Sequence, residues 1–336
     1  MHSKPYLKKK IVCLGGGTGA SMVIRALESK ADLSAVVSMF DNGGSTGYLR
    51  RELDLPPVGD LRQCLISLTQ KKELASLLKH RFSKGFLRGH NLGNILFAAA
   101  IEERGFEKGL EYLEKIFEIS GKIIPASLDN SNLMAILENG KAIKGEEEIV
   151  NCRDISKIGL KKLYLSPAAK ANPKALAEIK KADFVIIGPG KFYTSLISNL
   201  LVEGIADGLK RSKAKKILIC NLMTQPGNTD GFTVERFLSE TEKYIGQGVI
   251  DHVFFNTKKL SPQTSKQVKK IFVDAEFVGY NKAILKDKRF VGADLLGLEL
   301  KPLNPSDILI KGVNQRTMVG HDPKKLARVL SKIINR

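Results

Sequence analysis

Two short stretches near the front of the chain, "CLGGGTGAS" around Gly15 and "FDNGGSTGYLR" from Phe40, hold residues whose types and spacing could do chemistry. The first fits G-x-G-x-x-[GA] as Gly15, Gly17 and Ala20, with Gly16, Thr18 and Gly19 between them, ahead of a helical pattern. Glycines lose much backbone freedom on ordering, so a cluster of them marks a sharp turn or a close approach. Outward main-chain N–H groups and the dipole at such a helix start suit a phosphate. A tight structural turn explains the same spacing, and this loop alone would also admit a nicotinamide dinucleotide. In the second stretch Asp41 stands at the expected end of a strand, about twenty residues on, where a dinucleotide fold holds ribose hydroxyls. Asn42, Gly43, Gly44, Ser45 and Thr46 follow it directly. That second flexible, hydroxyl-bearing loop suits another anionic group, or a metal held between Asp41 and a neighbour. Asp60, in "PPVGDLRQCL", is the candidate neighbour; capping the helix expected from Leu61 is its alternative role.

Three further segments carry polar groups at expected strand ends or helix starts. "GPGKFYTS" gives a Gly188–Pro189–Gly190 turn, then Tyr193, Thr194 and Ser195 with an aromatic face and two hydroxyls. "CNLMTQPGNTDG" offers Asn221, Thr224, Gln225, Gly227, Asn228 and Thr229. Its neutral hydrogen-bonding side chains suit sugar hydroxyls and amides better than phosphate. "GHNLGN" places His90, Asn91 and Asn94 at another helix start, where a cap or core role for His90 is the simpler reading. GxSxG, HExxH, GxxxxGK[ST] and Cys/His clusters are missing, so no hydrolase, zincin or P-loop chemistry is legible.

These loops need a framework, and the rest of the sequence supplies one. Short continuous apolar runs alternate with amphipathic helical patterns, as in "IVCLGGGTGASMVIRALES" and "ADFVIIGPGKFYTSLISNLLVEGI". Such runs indicate strands buried on both faces. The expected fold class is α/β: a Rossmann-like, doubly wound, mostly parallel sheet with helices on both faces. Two stretches break the rhythm: a helical insertion over about 61–117, and a small antiparallel β-rich insertion over about 122–165 with Glu138–Lys141 as its hairpin turn. Without a Pro/Ser-rich linker, residues 1–336 read as a single domain.

Composition bounds the function. At 336 residues and 43% hydrophobic, the chain is ordinary globular material. No apolar run reaches the roughly 18–20 residues of a membrane span. The basic start reads as a frayed tail, and a cytoplasmic location is expected. Cys13, Cys64, Cys152 and Cys220 are far apart and read as reduced structural thiols. The net charge of +19 is spread in twos and threes without interleaved aromatics, which argues against nucleic acid.

Together, "CLGGGTGAS", "FDNGGSTGYLRRELDLPPVGDLRQCLISL", "GHNLGN", "GPGKFYTSLISNLLVEGI", "CNLMTQPGNTDG" and "HDPKKLA" resemble the YvcK-type gluconeogenesis factors (the UPF0052 group) of the CofD, or 2-phospho-L-lactate transferase, superfamily. The likeness runs from about Ile11 to Arg328. It implies a cytoplasmic regulator that binds UDP-sugars, notably UDP-N-acetylglucosamine, and links central carbon metabolism to cell-wall precursor supply and cell shape. No resident cofactor is implied for that branch, a protein partner would lie in cell-wall or carbon metabolism, and a homodimer is expected. In the transferase branch two acids hold Mg²⁺ while a nucleotide-linked lactyl phosphate is donated; their counterparts here would be Asp41 and Asp60. Three positions depart from the pattern: Asn42 stands in place of a second acid, Lys191 in place of a small Ser, and Gly320 in place of a basic residue before His321. The first departure weakens the transferase reading. The other two leave the diphosphate and nucleoside contacts open.

Overall fold

The apolar runs between glycine turns become the strands of a parallel sheet. The computed structural model describes residues 8–28, 30–262, 265, 266, 268, 274–298 and 319–335. The expected basic tail, from Met1 to Leu7, lies outside them. The first part of the chain gives β1 (Lys10–Gly15), α1 (Gly17–Leu27), β2 (Asp32–Val37), α2 (Gly44–Glu52), α3 (Gly59–Leu68), α4 (Lys72–Lys79), α5 (Leu92–Arg104), α6 (Phe106–Ile116) and β3 (Lys122–Pro125). The middle gives β4 (Asn132–Leu137), β5 (Ala142–Lys144), α7 (Glu146–Asn151), α8 (Ile155–Ile158), β6 (Leu160–Ser166), α9 (Pro173–Lys181) and β7 (Phe184–Ile187). A π-helical turn, Phe192–Ile197, then runs into α10 (Ser198–Leu200) and α11 (Ile205–Arg211). They are followed by β8 (Lys215–Ile219), α12 (Val234–Ile245), β9 (His252–Asn256), β10 (Phe290–Ala293), β11 (Leu296–Leu298), β12 (Val319–His321) and a last helix, Pro323–Ile334.

The main sheet has seven strands in the order β10-β9-β8-β7-β1-β2-β3, every neighbouring pair parallel. Chain order therefore runs outward from β1 on one side and from β7 on the other. The fold is α/β, Rossmann-like and doubly wound, and the direction of winding reverses between β1 and β7. In β1, Ile11 and Cys13 face one core, shared with α1, α3 and the last helix. Val12 and Leu14 face the other, shared with α9, α11 and α12. A strand buried on both faces cannot alternate polar with apolar, which is why "IVCL" is unbroken. Among the described residues, no helix is long and apolar enough to cross a membrane.

Two sequence expectations need correcting. The β-rich insertion does not begin at 122: Lys122–Pro125 pairs in parallel with β2, and Ile123 and Ile124 face opposite cores. Its Pro125 is tolerated because β3 is an edge strand. Only β4, β5 and β6 form the small antiparallel sheet, with the turn between β4 and β5 where it was expected. The second strand also ends early, at Val37, so Asp41 lies in the loop beyond it rather than on the strand.

The last helix starts from Asp322, whose Oδ1 accepts the N–H groups of Lys324 and Lys325 at 2.8 and 3.0 Å, and it packs on α1. Leu326 and Leu330, both fully buried, form that contact face. Truncating Leu330→Ala should lower the unfolding free energy by about 2–5 kcal/mol in a denaturant titration. Lys332→Ala, on the exposed face, should stay within about 0.5 kcal/mol of the parent.

Candidate functional site

In an open parallel sheet the ligand crevice lies beyond the carboxyl ends of the strands where winding reverses. Here those ends are Gly15 of β1 and Ile187 of β7, and the segments after them touch. Helix α1 starts immediately, with Gly16 as its cap and Gly17, Thr18 and Gly19 in its first turn. A Cβ on Gly19 would overlap the Pro189 carbonyl oxygen. One on Gly16 would stand 2.8 Å from Ser195 Oγ, and one on Gly17 2.6 Å from Asp60 Cα. None of these glycines has a positive φ. Close approach, not turn geometry, is what the glycines permit.

Asp60 does not cap its own helix. Helix α3 begins at Gly59 with Val58 in the cap position, and Asp60 lies in its first turn. Its carboxylate instead accepts the Gly17 N–H, so the protein's own anion takes one amide of the α1 start. Burial above all pushes the Asp60 carboxyl up to about 6; Glu146 adds to the rise, while the Gly17 amide, Lys191 and Arg62 oppose it.

The second glycine loop leads into α2, with Gly43 as its cap. Asp41 Oδ1 accepts the Gly43 N–H at 3.0 Å, and Thr46 donates to the same carboxylate. Burial, then the charge of Asp60, raises the Asp41 pKa. Ser45 and Thr46 are buried and are braced from behind by the "GHNLGN" residues. His90 Nδ1 lies 3.3 Å from Ser45 Oγ, and Asn94 Nδ2 donates to Thr46 Oγ1 at 3.4 Å. Asn91 caps α5 through Gly93 N–H at 2.9 Å.

The short helix α7, which the sequence reading overlooked, ties the loops together. Asn42 Oδ1 accepts the Glu147 N–H at 2.7 Å, and its Nδ2 donates to Glu148 Oε2 at 3.0 Å. Glu146, 4% exposed, accepts from Lys191 Nζ at 2.9 Å and from Thr194 Oγ1 at 3.0 Å. Asn228 Nδ2 donates to the carbonyls of Ile149, Val150 and Cys152 at 3.2, 3.4 and 3.0 Å, and Gln225 Nε2 to that of Val150 at 3.3 Å. Glu146 could have been noticed as the first of three acids opening a helix after Gly145. Nothing local marks it as the one turned inward.

Several residues expected to meet a sugar are engaged by the protein. Tyr193 is buried edge-to-face against Phe192 and Phe232, and burial raises its hydroxyl pKa. Thr224 pairs with Glu276 through main chain and side chain, and Thr229 Oγ1 accepts the Gln225 N–H. Asn221 Nδ2 donates to the Gly190 carbonyl at 2.8 Å, joining the fourth loop to the third, and Gly227 lies against the Cys152 carbonyl. Thr18 and Asn42, with Asp41, Gly43 and Gly44, keep surface open, as does the Lys191 side chain at 49%.

The family model described as 2-phospho-L-lactate transferase CofD matches residues 11–291. The chain belongs to the CofD family. Within it, the chain is similar to the gluconeogenesis factor of Halalkalibacterium halodurans, 40% identical over 261 residues, covering 76% of this chain and 79% of that protein. It is also similar to the gluconeogenesis factor of Bacillus subtilis, 37% identical over 265 residues, covering 77% and 82%. A crystal structure of a UPF0052 family member from Bacillus halodurans superposes with a TM-score of 0.83 at 33% identity, covering 97% of this chain and 99% of that one.

The Mg²⁺ of the family's transferase branch does not suit this donor set. Asp41, Asp60 and Glu146 each spend carboxylate lone pairs on protein donors, and Asn42 is turned to α7. Among the described residues, no three His, Cys, Asp or Glu side chains are placed to hold a metal ion. A hollow of about 940 Å³, lined by Arg25, Lys30, Lys324 and Arg328 among others, lies at the other end of the sheet and has no part in this cluster.

A carboxyl whose pKa is raised by folding binds its proton more tightly in the native state, so it stabilises least once ionised. For Asp60 the window runs from the ordinary aspartate value of 3.8 to about 6. On this group's account thermal midpoints should therefore fall as pH rises from about 4 to about 6. Asp60→Asn should flatten that slope and add about 1–2 kcal/mol at pH 7.

Proposed function

We propose that the chain is a nucleotide-sugar-binding regulator, with a UDP-N-acetylglucosamine-like ligand, that couples gluconeogenic carbon flow to cell-wall precursor supply and cell shape in the cytoplasm. The observation that carries this is the meeting of the β1 and β7 glycine segments at the winding reversal, where Gly19 lies on the Pro189 carbonyl. That crevice presents the start of α1 at the exposed Thr18, with the helix dipole behind it, and the Lys191 ammonium to an incoming diphosphate. Asp41 and the open Gly43–Gly44 edge lie beside it, with a carboxylate and backbone groups suited to ribose or sugar hydroxyls. The names of the Bacillus subtilis and Halalkalibacterium halodurans relatives support the metabolic setting.

A transferase reading is consistent with the family, and the closeness of two acids, with the charge of Asp60 raising the Asp41 pKa, favours it. The two readings separate on product formation: a regulator returns the UDP-sugar unchanged after long incubation, whereas a transferase consumes its donor and stops on Asp60→Asn.

A thermal-shift series with UDP-N-acetylglucosamine, UDP, GDP-linked compounds and NAD(H) tests the ligand class. At a concentration about 100 times Kd, the UDP-sugar should stabilise by about 2.7 kcal/mol. Gly19→Ala should abolish that shift, because its methyl group would push the two glycine segments apart. A shift with NAD(H) alone would sink this reading in favour of a dehydrogenase.

A further inference from the structure

We propose that the Lys191 ammonium is the resident cation of this site, a fixed internal charge standing where the paired acids would otherwise call for a divalent metal. The observation is a convergence of four ionisable side chains from separate elements. Asp41 comes from the second glycine loop, Asp60 from the first turn of α3, Glu146 from the start of α7, and Lys191 from the turn after β7. Lys191 Nζ lies 2.9 Å from Glu146 Oε1. The charges of Glu146, Asp41 and Asp60 all act on it, outweighing burial and holding its pKa above the usual lysine value.

Burying three carboxylates together is costly unless a cation and hydrogen bonds compensate them. A divalent metal is one solution, and it requires carboxylate oxygens left free to ligate. Here each carboxylate already accepts from the protein, Asp41 from Gly43 and Thr46, Asp60 from Gly17 and Glu146 from Thr194, and the positive charge arrives on a lysine stem. The stem also suits a second task. About half of the Lys191 side-chain surface is exposed, next to the β7 turn. The ammonium can therefore meet a phosphate group of the ligand, the part a metal would bridge in a metal-dependent relative. For that ligand the inference rests on the nucleotide-sugar reading above; for the metal it does not.

Manganese(II) is the probe, followed by electron paramagnetic resonance and calorimetry on the full chain in the wild type, Lys191→Ser, Lys191→Arg and the double variant Lys191→Ser/Asp60→Asn. The wild type and Lys191→Arg should take up no manganese at this site. Lys191→Ser should gain one site that is tighter by at least about 10-fold, and the added Asp60→Asn should remove it. A wild-type site that Asp60→Asn abolishes overturns the proposal, and this arm needs no lysine variant to fold. A folded Lys191→Ser that gains no site overturns it as well. In parallel, UDP-N-acetylglucosamine should bind the wild type equally well in EDTA and in Mg²⁺, and binding only in Mg²⁺ would contradict the inference. If the wild type binds the nucleotide sugar in neither buffer, the ligand reading falls while the manganese arm still judges Lys191.

Discussion

The packing of Gly19 against the Pro189 carbonyl sets the geometry of the whole carboxyl edge of the sheet. β1 and β7 are hydrogen-bonded neighbours, but parallel pairing alone leaves the direction of the following segments free. Removing the side chain at Gly19 lets α1 start against the β7 turn, and that brings Ser195 beside Gly16. With the turn fixed, Lys191 emerges at the crevice mouth and the π-helical turn follows, carrying Thr194 towards Glu146. A methyl group at Gly19 would shift all of these together, since cores and close contacts yield in steps rather than smoothly.

On that edge the chemistry is a balance of buried charge. Each acid is raised towards the neutral form by desolvation, and each is partly restored by donors the fold supplies. Asp60 is the most informative, because it faces two helix starts at once: it sits in the first turn of α3 and accepts an amide from α1. A helix start favours negative charge, so one carboxylate near two of them is stabilised where a lone buried acid would not be. The small antiparallel sheet has a role in this balance. It delivers α7, whose first residue is the acid that Lys191 meets and whose carbonyls hold the fourth loop.

The parts of this arrangement written locally were legible in the sequence. Continuous apolar runs gave the parallel strands, and clustered glycines marked close approaches, because both patterns follow from what a single segment must tolerate. Partnership was not legible. Asn42 and Glu147 are 105 residues apart, Asn228 and Ile149 79, and Lys191 and Glu146 45. Spacing carries no trace of such pairs. The neutral polar run from Asn221 to Thr229 looked like a sugar-binding surface because its side chains can all hydrogen-bond. In the fold their partners are mostly backbone groups of α7 and its flanks, and of the neighbouring loops. Tyr193 misled for a similar reason. An aromatic at a helix start suggests a stacking platform, but the π-helical turn directs this ring into the Phe192 and Phe232 cluster.

The net charge of +19 suggests an anion-binding protein, yet the crevice itself gathers three acids around one lysine. The surplus cations lie elsewhere, for example around the hollow at the opposite end of the strands, where Arg25, Lys30, Lys324 and Arg328 meet. Charges that far away, exposed to water and salt, are screened over about 8–10 Å and add little to a contact inside the crevice. Affinity for a diphosphate must then come from nearby groups in a partly desolvated setting, namely the α1 start at Thr18 and a single ammonium. Such a site discriminates by geometry more than by charge. It would favour a ligand whose phosphates reach the α1 start while its hydroxyls meet the acids, and it would gain little from a bare phosphate, which has nothing to offer Asp41 or Glu146 except repulsion.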